Sequence, residues 1–412
     1  SSGVGAIVGS MLWGYLSDRW GRRPLLIAAI AAAAIGTGAS AVTPTGAWWF
    51  LALFRFVVGV GVGGSVVTGS PLIIELSPTR HRTLLGGFMT SAFIPIGTLV
   101  ASGVAAGLSE AIGWRGLLLV GLAPAVVGLF ALFVVPESPL WLESRGRLDE
   151  AARVAARFYE LPETPTLVPS APAATAEKEL GYRDTLAYRR SFWSVALIWL
   201  FADTAAIGFT LWAPTLLAQV MSISASRAAA YLTIAAACGL AGRIVISLLA
   251  KVVGRRMAGT AYGVIAGVLF AVTGMFHSAS LGFVSFFLIG VLVTYFFTDG
   301  LWGNIVPFSS EVWPSALRSH GSGVGNAMGG VGKIVGPVGL ALIIGTSDVI
   351  APKATEAGLL PAFLLFGGCM LVSGLVFAVL APEPHGRSLD EVESQLEAAE
   401  KAPGSPSVEP SR

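Results

Sequence analysis

Four ionisable residues, Arg55, Asp203, Asp299 and Lys333, stand deep inside long apolar runs. A charge in hydrocarbon is costly unless it pairs or faces a water-filled cavity, so each is a candidate for moving a proton or holding an ionised solute. At about 1.5 Å per residue, Arg55 lies roughly 12 Å and Asp203 roughly 15 Å inside their runs. Asp299 is followed closely by Trp302 and Asn304. Lys333 sits in Gly329-Gly-Val-Gly-Lys-Ile-Val-Gly-Pro337, an ammonium among glycines beside a helix-breaking proline, which suits it to receive a carboxylate. Its partner is Asp203, Asp299 or the carboxylate of a solute. Trp212 and Trp302 lie in the same runs as the two acids and complete a candidate substrate and proton pathway. Arg243 stands nearer the end of its run, where a long side chain can snorkel, so packing or anchoring is its expected role.

A second group of charges marks the ends of the runs. Gly14-Tyr-Leu-Ser-Asp18-Arg19-Trp-Gly21-Arg22-Arg23 compresses one carboxylate and three arginines between two apolar segments. The glycines permit a tight turn, and the charges can lock or release a neighbour. Similar signals recur. Glu75-x6-Arg82 is matched by Glu311-x6-Arg318 at an offset of 236, each with a proline three residues after the glutamate. Lys251-Val-Val-Gly254-Arg255-Arg256 restates the end of the first motif at an offset of 233. Pro136-Glu137-Ser-Pro and Pro382-Glu383-Pro are 246 apart. Three signals in one order at nearly one offset indicate an internal duplication.

The elements that carry these residues must cross a membrane. Hydrophobic residues are 54% of the chain, charged residues 12% and mean hydropathy +0.75, which excludes an ordinary soluble domain. With about 20 residues needed per crossing, spans are predicted near 3–17, 24–43, 47–74, 84–108, 115–135, 193–219, 228–250, 257–277, 281–308, 320–346 and 357–380. Lys and Arg in the connections divide 20 to 3 between the two sides, which places the cation-rich side in the cytoplasm. The division is 1–135 as a first helix bundle, 136–192 as a cytoplasmic linker, 193–380 as a second bundle and 381–412 as a cytoplasmic tail. Leu148, Ala151, Ala152, Ala155 and Phe158 recur at helical spacing, so the linker should hold a short amphipathic helix. Prolines between 161 and 172 mark a flexible stretch, and Ser388-x-x-Glu391 is a capping box opening a tail helix. Cys238 and Cys369 imply neither disulfide nor metal site. His81, His277, His320 and His385 are scattered with no acid-base or metal pairing, so no catalytic residue, metal or cofactor is expected.

The motif from Gly14 to Arg23 resembles, at every defining position, the loop between the second and third helices of the major facilitator superfamily. Arg55-x3-Gly59-x-Gly61-x-Gly63 resembles the arginine motif of its fourth helix. Pro136-Glu-Ser-Pro-Leu-Trp141-Leu with Arg145-Gly-Arg147, and Pro382-Glu-Pro-His-Gly386-Arg387-Ser-Leu, resemble signatures of sugar porters and their metabolite:proton symporter relatives, including aromatic-acid and niacin carriers. The resemblance implies an all-α polytopic fold of two pseudo-symmetric bundles, with eleven of the usual twelve helices present and the first span missing. The acid expected on that span would be the partner of Arg55. Span seven lacks the paired glutamines and the asparagine with which sugar porters bind hexoses, while Gly208-x3-Trp212-x-Pro214 is closer to the metabolite symporters. The implied activity is proton-coupled symport of a small organic solute, a carboxylate or aromatic acid, by alternating access. A sugar or polyol carrier and a non-transporting sensor stand as alternatives. Expected partners are the bilayer, the solute and protons, with no nucleic acid, for a monomer in a bacterial-type inner membrane. Gly14, Asp18, Arg19, Gly21, Arg22, Arg23, Glu75, Arg82, Glu137 and Arg147 in the first half are read as a cytoplasmic gate. Gly254, Arg255, Glu311, Arg318, Glu383 and Arg387 are its counterpart in the second.

Overall fold

The computed structural model of the chain describes residues 1–76, 90–158, 182–281, 284–313, 317–343 and 356–383. The first bundle comprises α1 (Ser2–Trp20), α2 (Arg22–Ala41), α3 (Trp48–Leu76), α4 (Thr90–Val120) and α5 (Ala123–Val134). Two short helices follow, α6 (Pro139–Ser144) and α7 (Leu148–Phe158), and then a 3-10 turn at Asp184–Leu186. The second bundle comprises α8 (Arg189–Val220), α9 (Ala225–Val253), α10 (Arg255–Met275), α11 (Phe286–Gly300), α12 (Trp302–Glu311), α13 (Arg318–Ile343) and α14 (Glu356–Val379). Between α10 and α11 stands an antiparallel pair of two-residue strands, β1 (Ser280–Leu281) and β2 (Val284–Ser285). Nine segments among the described residues are long and apolar enough to cross a membrane. Hydrocarbon offers no partner to a backbone amide, so helices are the form these runs must take. Their hydroxyls close on their own helix: Ser10, Thr68, Thr204 and Thr233 each donate to the carbonyl four residues back.

Packing follows the glycines. In lipid, helices gain little from burying apolar side chains against each other, and close approach depends on small residues. A β-carbon on Gly9 of α1 would stand 2.2 Å from the Val60 carbonyl oxygen of α3, and one on Gly242 of α9 would stand 2.0 Å from the Phe296 carbonyl oxygen of α11. These are the same contact repeated at the offsets found in the motifs. On α13, Gly332 and Gly336 lie against the carbonyls of Leu200 and Thr204 on α8, again too close for any β-carbon. The second bundle is centred on Phe209, whose ring meets those of Phe270, Tyr295 and Phe363 at centroid distances of 5.0, 5.8 and 5.7 Å.

Three boundaries differ from the sequence reading. The span predicted at 115–135 is interrupted: Gly113 turns the chain at φ 63°, ψ −176°, and α4 stops at Val120 before α5 opens with Pro124 in its first turn. The span predicted at 281–308 begins later, after the β1–β2 hairpin, and is divided at Leu301. Pro307 leaves the Gly303 carbonyl without an in-helix donor, and Ser247 Oγ stands 3.5 Å from it. The linker holds α6 as well as the amphipathic helix, on which Ala151 and Ala152 are buried. The proline stretch at 161–172 and the tail capping box lie outside the described residues.

Substituting Gly336→Val should lower stability by about 1–3 kcal/mol, the usual cost of overpacking. Gly107→Ala, where a β-carbon meets nothing within 4 Å, should be neutral or stabilise by up to about 1 kcal/mol. Thermal unfolding of the two variants in one detergent compares them directly, and equal effects would contradict glycine-limited packing.

Candidate functional site

The inner rim is built twice. α2 begins directly after Gly21, and α10 directly after Gly254, with φ of 103° and 87° that favour glycine. Each glycine also makes room for a carboxylate. Glu137 Oε1 accepts from the Arg22 amide at 2.9 Å, and both its oxygens lie 3.3 Å from the Arg23 amide. Glu383 accepts from the Arg255 and Arg256 amides at 3.1 and 2.9 Å. A β-carbon on Gly21 would meet Glu137 Oε2 at 2.3 Å, and one on Gly254 would meet Glu383 Oε2 at 2.7 Å. Each carboxylate thus occupies the positive end of a helix dipole and satisfies amides that have no partner inside the helix.

The arginine side chains complete each half. Arg22 Nη1 pairs with Glu75 Oε1 at 3.0 Å, and Arg255 grips both oxygens of Glu311, its Nη2 at 2.6 Å. Both pairs are mostly shielded, so they are screened less than exposed pairs. Ser138, which the sequence reading missed as a participant, donates from Oγ to Glu75 and accepts from the Trp141 amide, joining the Glu137 loop to α3. Asn304 supports the other half, its amide donating to the Arg255 carbonyl at 2.8 Å. Arg19 is exposed over the Tyr15 ring, and a β-carbon on Gly14 would touch Val67 at 3.3 Å. Arg147 is a correction: it closes on Glu150 on the exposed surface, while its neighbour Arg145 donates to the Arg19 carbonyl at 3.1 Å. The side chains of Asp18 and Arg318, and the whole of Arg82 and Arg387, lie outside the described residues.

The charges inside the spans are sorted differently from the expectation. Arg243 does not snorkel. It is buried and holds Asp299 through Nε at 2.9 Å and Nη2 at 2.7 Å, so Asp299 is committed to α9 and not to Lys333. The remaining acid, Asp203 on α8, lies 3.8 Å from Lys333 Nζ on α13. That is an ion pair without a hydrogen bond, because a charge-assisted N–H···O contact would be about 2.7–2.9 Å. Beside it, Trp199 and Trp302 meet edge to face at 5.0 Å, and Trp199 Nε1 donates to Ser309 Oγ at 2.6 Å. Trp212 is corrected from pathway to packing, since it is buried in the apolar core of the second bundle. Arg55 is half-buried; its Nε donates to Ser40 Oγ at 3.3 Å, and its Nη2 has no hydrogen-bond partner among the described residues.

Lys333 stands at the seam between the bundles. Gly330 and Ile334, on either side of it, meet Ile7 and Gly3 of α1. Farther along the seam, the hydroxyls of Thr233 of α9 and Ser102 of α4 lie 3.2 Å apart, and Ser226 donates to Glu110 at 2.7 Å. Counting along each helix, these contacts run from mid-span toward the outer face. α12 also touches α4. Among the described residues no group of His, Cys, Asp and Glu could hold a metal.

Glu383→Ala should cost about 1–2 kcal/mol, the loss of a helix cap. Glu383→Gln keeps an acceptor oxygen and loses only the charge, and should cost about 0.3–1 kcal/mol. Chemical denaturation in detergent measures both; equal losses would mean that charge, not hydrogen bonding, carries the contact.

The family described as Sugar (and other) transporter matches residues 1–396. The niacin transporter NiaP of Acinetobacter baylyi is 27% identical over 394 residues, covering 94% of this chain and 85% of that protein. Polyol transporter 5 of Arabidopsis thaliana is 26% identical over 432 residues, covering 95% and 77%. Among solved structures, a D-xylose-proton symporter superposes with a TM-score of 0.72 at 19% identity, covering 94% of this chain and 87% of that one, which shows a shared fold.

Proposed function

The chain belongs to the sugar (and other) transporter family, a family of membrane transporters and not of enzymes, and on that footing we propose that it carries a small organic carboxylate, an aromatic acid, by proton-coupled symport. As a multi-pass secondary transporter of small metabolites, it makes and breaks no covalent bond in the solute. Its task is to hold the solute mid-membrane and expose it to one side at a time. The observation that supports a carboxylate is Lys333: a cation 32% exposed at the seam between the bundles, held by one acid at 3.8 Å. An ammonium so loosely paired has donors to spare for an anionic guest. The Trp199–Trp302 pair is buried in the same core as Trp212, so the aromatic guest rests on the name of the Acinetobacter relative.

In this reading the bundles at 1–135 and 193–380 rock about the linker at 136–192. The paired rims at Arg22–Glu75 and Arg255–Glu311 lie within each bundle and brace the gate faces that meet when the cytoplasmic side closes. The seam contacts from mid-span outward support a state closed toward the outside, with the bacterial-type inner membrane as the proposed location.

Lys333→Gln should weaken uptake of radiolabelled benzoate into proteoliposomes by about ten- to a hundredfold, equivalent to a lost hydrogen bond to a charged group of about 1.5–3 kcal/mol. Because the change leaves Asp203 without its counter-charge, yield should fall as well, and uptake is read per amount of folded protein. Unchanged benzoate uptake in the variant rejects the anchor. Uptake of xylose or a polyol with benzoate ignored replaces the reading with a sugar or polyol carrier, and no flux of any of them favours a sensor.

A further inference from the structure

We propose that Asp203 takes up the coupling proton, and that it competes with the solute's carboxylate for the single ammonium of Lys333. The inference rests on the carboxylate reading above and adds the site and sequence of proton uptake to it. Asp203 is 2% exposed, and its Oδ2 has no hydrogen-bond partner among the described residues. The oxygen lies against the backbone of α13 where only glycine fits, since a β-carbon on Gly329 would stand 2.1 Å away. A carboxylate so placed has exchanged its hydration for one cation beyond hydrogen-bonding distance, and an ionised group in that position is stable only while the cation stays.

Lys333 has a second side. While Asp203 lies behind it, enclosed between α8 and α13, the ammonium is partly open at the seam where α13 meets α1. An anion entering between the bundles therefore reaches Lys333 and not Asp203. Once the solute's carboxylate draws the ammonium toward itself, Asp203 is left as a buried anion with no counter-charge. A proton delivered by hydronium, which leaves as water, forms one O–H bond on Asp203 and removes that charge. The empty site holds one ammonium and one carboxylate. The loaded site holds one ammonium, the solute's carboxylate and a neutral acid. Both states sum to zero, so one proton moves with each carboxylate, and on release the proton returns to water as Lys333 swings back.

The other groups around α8 do not substitute for Asp203. α9 and α11 contribute Arg243 and Asp299, which close on each other through two hydrogen bonds, and Tyr295, whose hydroxyl meets Thr210 at 2.9 Å. α12 contributes Glu311, gripped by Arg255 at the inner rim. The described part of α14 contributes Cys369, and α13 contributes Lys333 itself.

The test is benzoate binding by the purified protein in detergent, followed by calorimetry across a pH series in which benzoate stays ionised. Because protonation of Asp203 favours the loaded state, wild-type affinity should rise as pH falls, approaching tenfold per pH unit. Asp203→Asn should bind benzoate with no pH dependence, and in proteoliposomes an inward acidic gradient should no longer concentrate it. A variant that keeps the wild-type pH dependence or gradient-driven accumulation overturns the proposal. Should Asp203→Asn fail to fold, the wild type alone decides: adding benzoate to lightly buffered protein with an indicator dye should draw about one proton per benzoate bound, and no proton uptake overturns the proposal. Pronounced benzoate binding without pH dependence rejects this inference alone, whereas binding that survives Lys333→Gln rejects the carboxylate anchor beneath it.

Discussion

The architecture depends on how closely one helix backbone can approach another. In hydrocarbon every spanning segment must satisfy its own amides, which makes helices, and apolar side chains then give no net drive to bring those helices together. Contact at glycine supplies it. Gly9 against Val60, Gly242 against Phe296 and Gly336 against Thr204 are places where no side chain at all can stand. Because α8 and α13 lie this close, Asp203 is enclosed by backbone and Lys333 is left as its neighbour. The functional geometry at mid-span is thus a consequence of packing.

The two halves solve one electrostatic problem at their inner ends in the same way. A helix beginning beside a bend presents unpaired amides, and a carboxylate from the segment after the last helix of each bundle, Glu137 or Glu383, occupies them. The arginine at the helix start is then free to reach across to the glutamate ending the neighbouring span. Each half is therefore internally braced at the rim, and a motion of one half against the other need not disturb these braces. The halves differ in detail. Ser138 joins the first network, whereas Asn304 joins the second.

At mid-span the symmetry fails, and function enters there. The second bundle contains a tightly closed pair, Arg243 with Asp299, and a loose one, Lys333 with Asp203. A bidentate buried pair is strongly held because breaking it strands two charges. A pair at 3.8 Å with one partner at the seam can exchange partners. The difference separates a brace from a working site, although all four residues look alike in sequence, as charges in apolar runs.

Composition and periodicity determined a great deal unaided. The apolar runs, the 20-to-3 split of cations and the three repeated motifs specify a polytopic, duplicated helical protein with a charged inner face, because the cost of an unsatisfied amide or charge in lipid allows few alternatives. Which acid meets which base was decided only by the tertiary structure. Lys333 had two aspartates in reach of a plausible pairing, and Arg243 sat where snorkelling was as reasonable as burial; the crossing of α9 with α11 and of α8 with α13 settled both. Ser138 and Arg145, which lie in the sequence motifs but were not singled out there, join the rim, and Arg147 leaves it. Pairing across helices depends on rotation and depth, to within a single turn. A one-dimensional pattern fixes how deep a residue lies but not which neighbour it faces, and that final angle belongs to the packing of the backbones.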